Sequence, residues 1–302
     1  DYWFDGELEE KHGYVLNIQN RACALERPVR IKCEYSIKAE YLPDSLFLVC
    51  ETPNIYEILV NGHAIDTLDC GYFADSAFRK LQIAPQLQLG KNKITLTVDF
   101  CQSAKVYEQL KKAQIFESEK NKLTYDMEIE PIYLAGMFGV KTSGQFEDLP
   151  RHAVRYRGDF VITEPPKQLK LANIQQQGFP FFAGEVCVSK EIELLETNYC
   201  LKFQKEGVNV LRVSINNDEE TCIMWEPYEL NLKKRLKIGK NKITLTLVNT
   251  LRNLLGPHHL KEGESYSVGP FSFYKEPCVW NTMPEKDWDD DYCFARFGIL
   301  SE

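Results

Sequence analysis

Several features that would mark a membrane protein or a common enzyme class are missing from this 302-residue sequence. No run approaches the roughly 18 consecutive apolar residues that a membrane-spanning helix needs. No Gly-x-Ser-x-Gly elbow, His-Glu-x-x-His helix, phosphate loop or dinucleotide-binding glycine motif occurs. The sequence begins without Met or a signal-like segment, so we expect a piece of a longer protein. Membrane insertion and triad, phosphoryl-transfer and hydride-transfer chemistry therefore have no support.

Close cysteine pairs are also lacking. The sequence has ten cysteines but no Cys-x-x-Cys pair, and the two nearest are Cys23 and Cys33. This spacing predicts neither a disulfide scaffold nor a structural zinc site. We expect mostly reduced thiols, which favour a cytoplasmic location over a secreted one.

Clustered positive charge is absent as well. The 36 basic residues are outnumbered by 44 acidic ones, giving a net charge of −8. A nucleic-acid surface needs clustered Lys and Arg, so no nucleic-acid partner is predicted. Hydrophobic residues make up 44% of the sequence, enough for one large core or two ordinary ones. Two domains are the better expectation at this length.

The most informative feature that is present is an internal repeat. The string GKNKITLT occurs at positions 90–97 and again, identical in all eight positions, at 239–246. The same shift of 149 residues superposes the apolar residues of 81–89 on those of 230–238. A repeat this long indicates duplication of a domain, because solenoid repeats have periods of about 20 to 50 residues.

Both copies predict β structure. Apolar residues alternate with Thr and Lys after each Gly-Lys-Asn, which predicts a half-buried strand preceded by a tight turn. Strands are also predicted over 46–51, 55–60, 199–203 and 208–215, with a hairpin at Asn61-Gly62. One segment, 104–116, has helical periodicity. We therefore predict an all-β protein of two antiparallel β-sandwich domains with one short helical excursion.

The predicted domain boundaries follow from this pattern. We expect an N-terminal extension over residues 1–24, a first sandwich over 25–145 and a second over 146–302. The stretch 141–157 contains glycine, proline and mixed charge, which makes it the best boundary, and 164–170 is a second candidate. An apolar cluster at Tyr2, Trp3 and Phe4 is expected to pack on a missing part or to dock against the first sandwich.

The order of short segments in the first copy resembles that in the galactose-binding-like jelly roll known as the sugar-binding domain of glycoside hydrolase family 2. Later segments, found in both copies, resemble parts of α-L-rhamnosidase-like enzymes. The segments that carry the resemblance are 60–62, 75–79, 89–92, 129–134, 138–140 and 249–259. Copy two departs from the pattern, with Asn216-Asn217 in place of Asn-Gly and a loop that is six residues shorter. The two copies therefore need not bind the same ligand.

The resemblance implies a non-catalytic accessory region of a bacterial glycoside hydrolase. In such enzymes jelly rolls accompany a separate catalytic barrel, and the implied partners are that catalytic domain and carbohydrate. Glycoside hydrolysis normally uses two carboxylates, but among 44 acidic residues the sequence selects no pair. An independent carbohydrate-binding module and a purely structural or oligomerisation module remain as alternatives.

Two groups of residues are candidates for carbohydrate contact. Trp225 and Tyr228 lie in a loop of copy two, where a ring can stack on the apolar face of a sugar. Alternatively, Trp225 covers the end of the sandwich. Arg252, Asn253, His258 and His259 follow the last clear strand of copy two and could bond hydroxyl groups or hold their own loop.

No metal site is predicted. His258 and His259 are adjacent, too close for a simple metal clamp. The acidic run near the C-terminus offers oxygen atoms of the kind that structural calcium prefers. It lacks the glycine and distal glutamate of an EF-hand loop, and acidic runs are usually solvated. The run consists of Asp287, Asp289, Asp290 and Asp291.

Overall fold

A computed structural model describes residues 1–66, 68–276 and 287–300. The chain divides into two compact units. Unit 1 comprises Asp1–Lys141, Asp159–Pro165 and the described part of Ser267–Trp288, and unit 2 comprises Thr142–Gly158, Pro166–Tyr266 and the described part of Asp289–Glu302. Antiparallel sheets dominate both units, which confirms the predicted all-β sandwich class.

The described strands are, in chain order, β1 Tyr2–Phe4, β2 Glu7–Glu10, β3 Val29–Ala39, β4 Leu46–Cys50, β5 Glu57–Val60, β6 His63–Ala64, β7 Tyr72–Phe73, β8 Asp75–Gln82, β9 Gly90–Phe100, β10 Tyr133–Gly136, β11 Gly139–Thr142, β12 Gln145–Leu149, β13 Ala153–Arg157, β14 Phe160–Thr163, β15 Glu185–Leu194, β16 Cys200–Lys202, β17 Gln204–Glu206, β18 Val210–Ile215, β19 Thr221–Ile223, β20 Glu229–Asn231, β21 Gly239–Val248, β22 Tyr292–Ala295 and β23 Gly298–Leu300. The helices are α1 Val15–Ala24, α2 Ala104–Ile115, α3 Glu117–Lys120 and α4 Arg252–Leu255. None of these helices is long and apolar enough to cross a membrane.

Unit 1 is built from two sheets around one core. The larger has the order β11-β14-β3-β9-β5-β6, with β1 along β3, and the smaller has the order β10-β4-β8-β7. Alternate residues of β9, including Ile94, Leu96 and Val98, are buried against Leu48 and Leu81 of the smaller sheet. This alternation is the pattern expected of a strand with one face toward a core.

Unit 2 repeats the central arrangement. Its main sheet has the order β15-β21-β18-β19, and shorter sheets pair β16 with β20 and β17 with β23. Leu211, Val213 and Leu247 of the main sheet share a core with Leu232. A separate sheet, β12-β13-β22, completes the described part of the unit. The two repeated strings therefore form β9 and β21, which occupy matching central positions in their sheets.

The same side-chain hydrogen-bond network is present at the start of the repeated strand in both units. In unit 1 Asn92 is buried, and its Oδ1 accepts bonds from the backbone N–H of Gln88 and from Nδ2 of Asn61, both at 2.8 Å. Its Nδ2 donates to the Gln88 carbonyl at 2.7 Å. Asn61, at the tip of the β5–β6 hairpin, also accepts a bond from the backbone N–H of Lys93 at 2.9 Å.

In unit 2 the corresponding atoms make the corresponding bonds. Oδ1 of Asn241 accepts from the backbone N–H of Lys237 and from Nδ2 of Asn216, both at 3.0 Å. Nδ2 of Asn241 donates to the Lys237 carbonyl at 2.6 Å, and Lys242 N–H donates to Oδ1 of Asn216 at 3.0 Å. The duplication seen in the sequence is thus also a duplication of buried polar structure.

Some sequence predictions need correction. The Gly-Lys-Asn at the start of each repeat was expected to form a tight turn, but it begins the strand, and the buried amide of Asn92 or Asn241 holds the preceding loop instead. One helical excursion was expected at 104–116, and α2 confirms it. The ten-residue helix α1 was not predicted, because the polar Asn17 and Gln19 are buried beside its apolar face and obscure the periodicity.

Residues 1–24, expected as an extension, supply β1, β2 and α1 to unit 1. Tyr2 and Phe4 are buried in its core, while the Lys32 ammonium lies 3.5 Å from the centre of the Trp3 ring. The expected boundary stretch 141–157 contains β12 and β13.

Candidate functional site

The candidate residues Trp225 and Tyr228 lie on the segment that connects β19 to β20 in unit 2. Tyr228 is half-buried against the core of the unit, and its carbonyl accepts a 2.9 Å bond from the backbone N–H of Phe203. Trp225 is 73% exposed. The segment is therefore anchored through Tyr228 and presents the indole of Trp225 to solvent.

Asn253, in contrast, is almost completely buried. Its Nδ2 donates to the carbonyl of Ala295 and its Oδ1 accepts from the N–H of Ala295, both at 2.9 Å. These two bonds attach α4 to the end of β22. Both polar atoms of the amide are bonded to Ala295 and the side chain is 3% exposed, so Asn253 is not presented to a sugar hydroxyl.

His258 is half-buried and is engaged by neighbouring residues of unit 2. Its Nε2 lies 2.9 Å from the Asn253 carbonyl, and its ring packs against those of Phe181, Tyr292 and Phe294. Burial lowers the pKa of His258 from 6.5 to about 4, so the imidazole is neutral at pH 7. The structure therefore brings His258 and Asn253 together through a side-chain to backbone hydrogen bond.

His259 and Arg252 are tied to neighbouring segments. Nδ1 of His259 lies 2.9 Å from the Asp289 carbonyl, and Nε of Arg252 lies 2.9 Å from a carboxylate oxygen of Glu264. Arg252 and Asn253 line a depression whose empty volume is about 190 Å³, including space open to solvent. Small-molecule sites usually measure about 300 to 1,000 Å³. This depression is smaller than such sites even with the open space counted.

Part of the acidic run is paired with arginine. Asp289 lies 3.0 Å from Nε of Arg155, and Asp291 lies 2.7 Å from Nε of Arg157. No group of three or more His, Cys, Asp or Glu side chains suited to a metal ion is found in the described ranges. The suggestion of a structural calcium ion stays a prediction.

Unit 1 contains a carboxyl group that the sequence reasoning did not single out. Tyr133 at the start of β10 pairs with Val49 near the end of β4, and this register brings Glu130 close to Glu51. Burial, followed by the nearby charges of Glu128 and Glu51, raises the pKa of Glu130 from 4.5 to about 7. No local pattern reveals this pair, because it depends on the pairing of two distant strands.

The surroundings of Glu130 are aromatic. Burial, and then the charges of Glu130 and Glu51, raises the pKa of Tyr133 to about 12. The Tyr56 hydroxyl donates to the Glu128 carbonyl at 3.3 Å. A carboxyl group with a pKa near 7 can hold or release a proton at neutral pH, which makes Glu130 the described carboxyl best suited to proton exchange.

No family model matches the sequence, and no curated protein matches it. The structure has similarity to a rhamnosidase from Novosphingobium sp. PP1Y, with 11% identity, coverage of 97% of this chain and 24% of that chain, and a TM-score of 0.28. It also has similarity to a β-D-mannosidase from Dictyoglomus thermophilum, with 14% identity, 74% and 25% coverage, and a TM-score of 0.22.

A third similar structure is an α-L-rhamnosidase from Streptomyces avermitilis complexed with L-rhamnose, with 6% identity, 72% and 21% coverage, and a TM-score of 0.26. The chain spans about a quarter of the length of these enzymes or less. TM-scores this low do not establish a common fold, so the similarity of these structures decides nothing about function.

Proposed function

We propose that this chain is a non-catalytic accessory region of a bacterial glycoside hydrolase, and that it contacts carbohydrate through Trp225 while a separate domain performs the chemistry. The exposed indole of Trp225 carries the proposal. Water offers a large aromatic side chain no apolar contact, whereas the C–H surface of a sugar ring can pack against the face of the aromatic ring. The sequence resemblance to sugar-binding sandwiches supplies the class of ligand.

The supporting geometry is the contrast between Trp225 and the other candidates. Asn253 is buried and His258 is half-buried, and both are hydrogen-bonded within unit 2, so they hold the fold. Trp225 lies on an anchored segment, with Met224 42% exposed beside it and an exposed carboxylate at Glu226. An aromatic platform next to a hydrogen-bond acceptor is a reasonable construction for a sugar.

Binding is tested by affinity electrophoresis and calorimetry of the whole chain against a panel of oligosaccharides and polysaccharides. We expect at least one glycan to bind, and Trp225→Ala to weaken it by about 10- to 30-fold, the loss typical of a central tryptophan contact. Tyr266→Ala is the matched control, because Tyr266 is another exposed aromatic residue of unit 2, at 93%. Lack of response to the panel, or equal losses in both variants, would contradict the assignment.

The non-catalytic part of the proposal has its own test. We expect no turnover of aryl glycosides by the chain alone. Glu130→Gln is the informative variant, since Glu130 is the described carboxyl most suited to donating a proton. Turnover that disappears in Glu130→Gln and persists in Glu108→Gln, which alters an exposed glutamate on α2, would show that unit 1 is catalytic.

A further inference from the structure

Strands β3 and β15 are equivalent by their pairing with the duplicated strands. In unit 1 Ala39 pairs with Gly90, and in unit 2 Leu194 pairs with Gly239, at the first residue of each repeat. The register continues along both strands, so that Val186 and Val188 of β15 correspond to Ile31 and Cys33 of β3. The two edges can therefore be compared residue by residue.

In unit 1 another strand covers the outer edge of β3. Tyr2 of β1 pairs with Cys33, and Phe4 pairs with Ile31. Tyr2 and Phe4 point into the core, at 4% and 9% exposure, and Ile31 and Cys33 beneath them are almost completely buried. The strand on this edge thus supplies both backbone hydrogen bonds and part of the hydrophobic core.

In unit 2 the matching edge is open. Within the described ranges, β15 pairs with β21 alone, and no strand lies along its other side. Val186 and Val188 remain half-exposed, although their counterparts in β3 are buried. A ten-residue edge with unpaired backbone groups and partly exposed apolar side chains is a ready template for strand addition.

The charges along β15 indicate what kind of strand fits. Its outward residues include Glu191 and Glu193, which lie opposite Lys242 and Lys240 of β21. A basic residue on an added strand would continue this alternation of sign. A second copy of β15, paired antiparallel over residues 185–193 with the same face inward, would set Glu185 opposite Glu193, and pairing over 186–194 would set Lys190 opposite its own copy. Like charges directly opposite are unfavourable.

We infer that the open edge of β15 receives an extended segment of another polypeptide, with apolar residues facing Val186 and Val188 and basic residues facing Glu191 and Glu193. The segment adds antiparallel to β15, as β1 adds to β3. This interaction surface is separate from Trp225 and does not depend on the proposed binding of carbohydrate.

The test uses the whole chain and a synthetic acetylated peptide, Lys-Val-Lys-Val-Thr-Tyr-Thr-Phe, written to this pattern. We expect binding, with hydrogen exchange slowed in residues 185–194 and unchanged in the covered edge of β3. A peptide of the same composition with the alternation removed, Lys-Lys-Val-Val-Thr-Thr-Tyr-Phe, is the control. Failure of the first peptide to bind at millimolar concentration, or protection elsewhere, would overturn the inference.

Backbone pairing and charge are then separated. Two peptides with N-methyl groups at complementary alternate residues should differ in affinity, since only one set blocks N–H groups that face β15. Equal affinity of the two would overturn strand addition.

Glu191→Lys with Glu193→Lys should weaken binding at least tenfold, and Glu108→Lys with Glu196→Lys, the same change of net charge elsewhere, should not. Dimerisation of the free chain through β15, detected by sedimentation with exchange protection at 185–194, would make a second copy the occupant and overturn the assigned partner.

Discussion

The two units hold the start of the duplicated strand with the same side-chain hydrogen bonds. They differ at the outer edge of the strand that pairs with it. Asn92 in unit 1 and Asn241 in unit 2 are buried and bond to a second asparagine at a hairpin tip. The edge of β3 is covered by β1, whereas the matching edge of β15 is open within the described ranges. The internal amide network is thus the common structural requirement of the two units, and the sheet edge is where they specialise.

The shared network should show the largest effect. We expect Asn92→Ala to destabilise unit 1 and Asn241→Ala to destabilise unit 2, each by about 3 kcal/mol in the free energy of unfolding, because several buried donors and acceptors lose their partners. Hydrogen exchange of the intact chain, measured by mass spectrometry on peptides from β9 and from β21, reports each unit separately.

Exposed residues next to the asparagines give the control for this comparison. Lys91→Ala and Lys240→Ala alter matching positions one residue before each asparagine, and we expect changes within about 0.5 kcal/mol. If only one asparagine variant lost stability, the network would be a structural requirement in one unit and incidental in the other.

This network also shows how far the sequence could be read. The identical strings and their alternation were sufficient to predict β9, β21 and the duplicated sandwich. The role of Asn92 could not be predicted, since its partner Asn61 is distant in sequence and a Gly-Lys-Asn stretch is more typical of a turn. Local pattern indicates the strand and says little about which polar side chain will be buried in it.

The candidate site shows the same limit. Exposure of Trp225 was one of two readings that the sequence left open. Asn253 and His258 look like surface residues in a Gly-Pro-rich segment, but Asn253 bonds to Ala295 and His258 packs against rings of β22. Glu130 had no signal at all, because its proximity to Glu51 follows from the register of β10 on β4. In these cases contacts between segments that are distant in sequence decided the outcome.

The stability of the two units should depend on pH in opposite directions. Glu130 has a pKa near 7 in the folded protein and 4.5 as its ordinary value, so its contribution to the stability of unit 1 is full below pH 4.5 and is lost as the pH rises through 7. His258 has a folded pKa near 4 and an ordinary value of 6.5, so unit 2 loses stability as the pH falls from 6.5 toward 4.

Each effect should amount to about 2 to 3 kcal/mol at its far limit. Glu130→Gln should remove the loss of stability of unit 1 at pH 8 and change its stability little at pH 4.5. His258→Phe should remove the loss of stability of unit 2 on the acid side. The measurement is hydrogen exchange from pH 4 to 8, corrected for intrinsic rates, on β9 and β21 peptides. Glu108→Gln is the control, and parallel pH trends in the two units would contradict the prediction.

The smallest expected effect concerns the hairpin tips, where the units differ by one residue. Asn61-Gly62 and Asn216-Asn217 all have positive φ, from 52° to 81°, a region that favours glycine over other residues. An added Cβ at Gly62 would meet no atom within 4 Å, so Gly62→Asn tests backbone conformation alone. We expect it to cost unit 1 about 0.5 to 1 kcal/mol and Asn217→Gly to stabilise unit 2 by a similar or smaller amount, measured by the same peptide-resolved exchange. If exchanging these residues left the stability of both units unchanged, the departure of copy two from Asn-Gly would have no effect on stability. The difference between the units would then lie at the sheet edge.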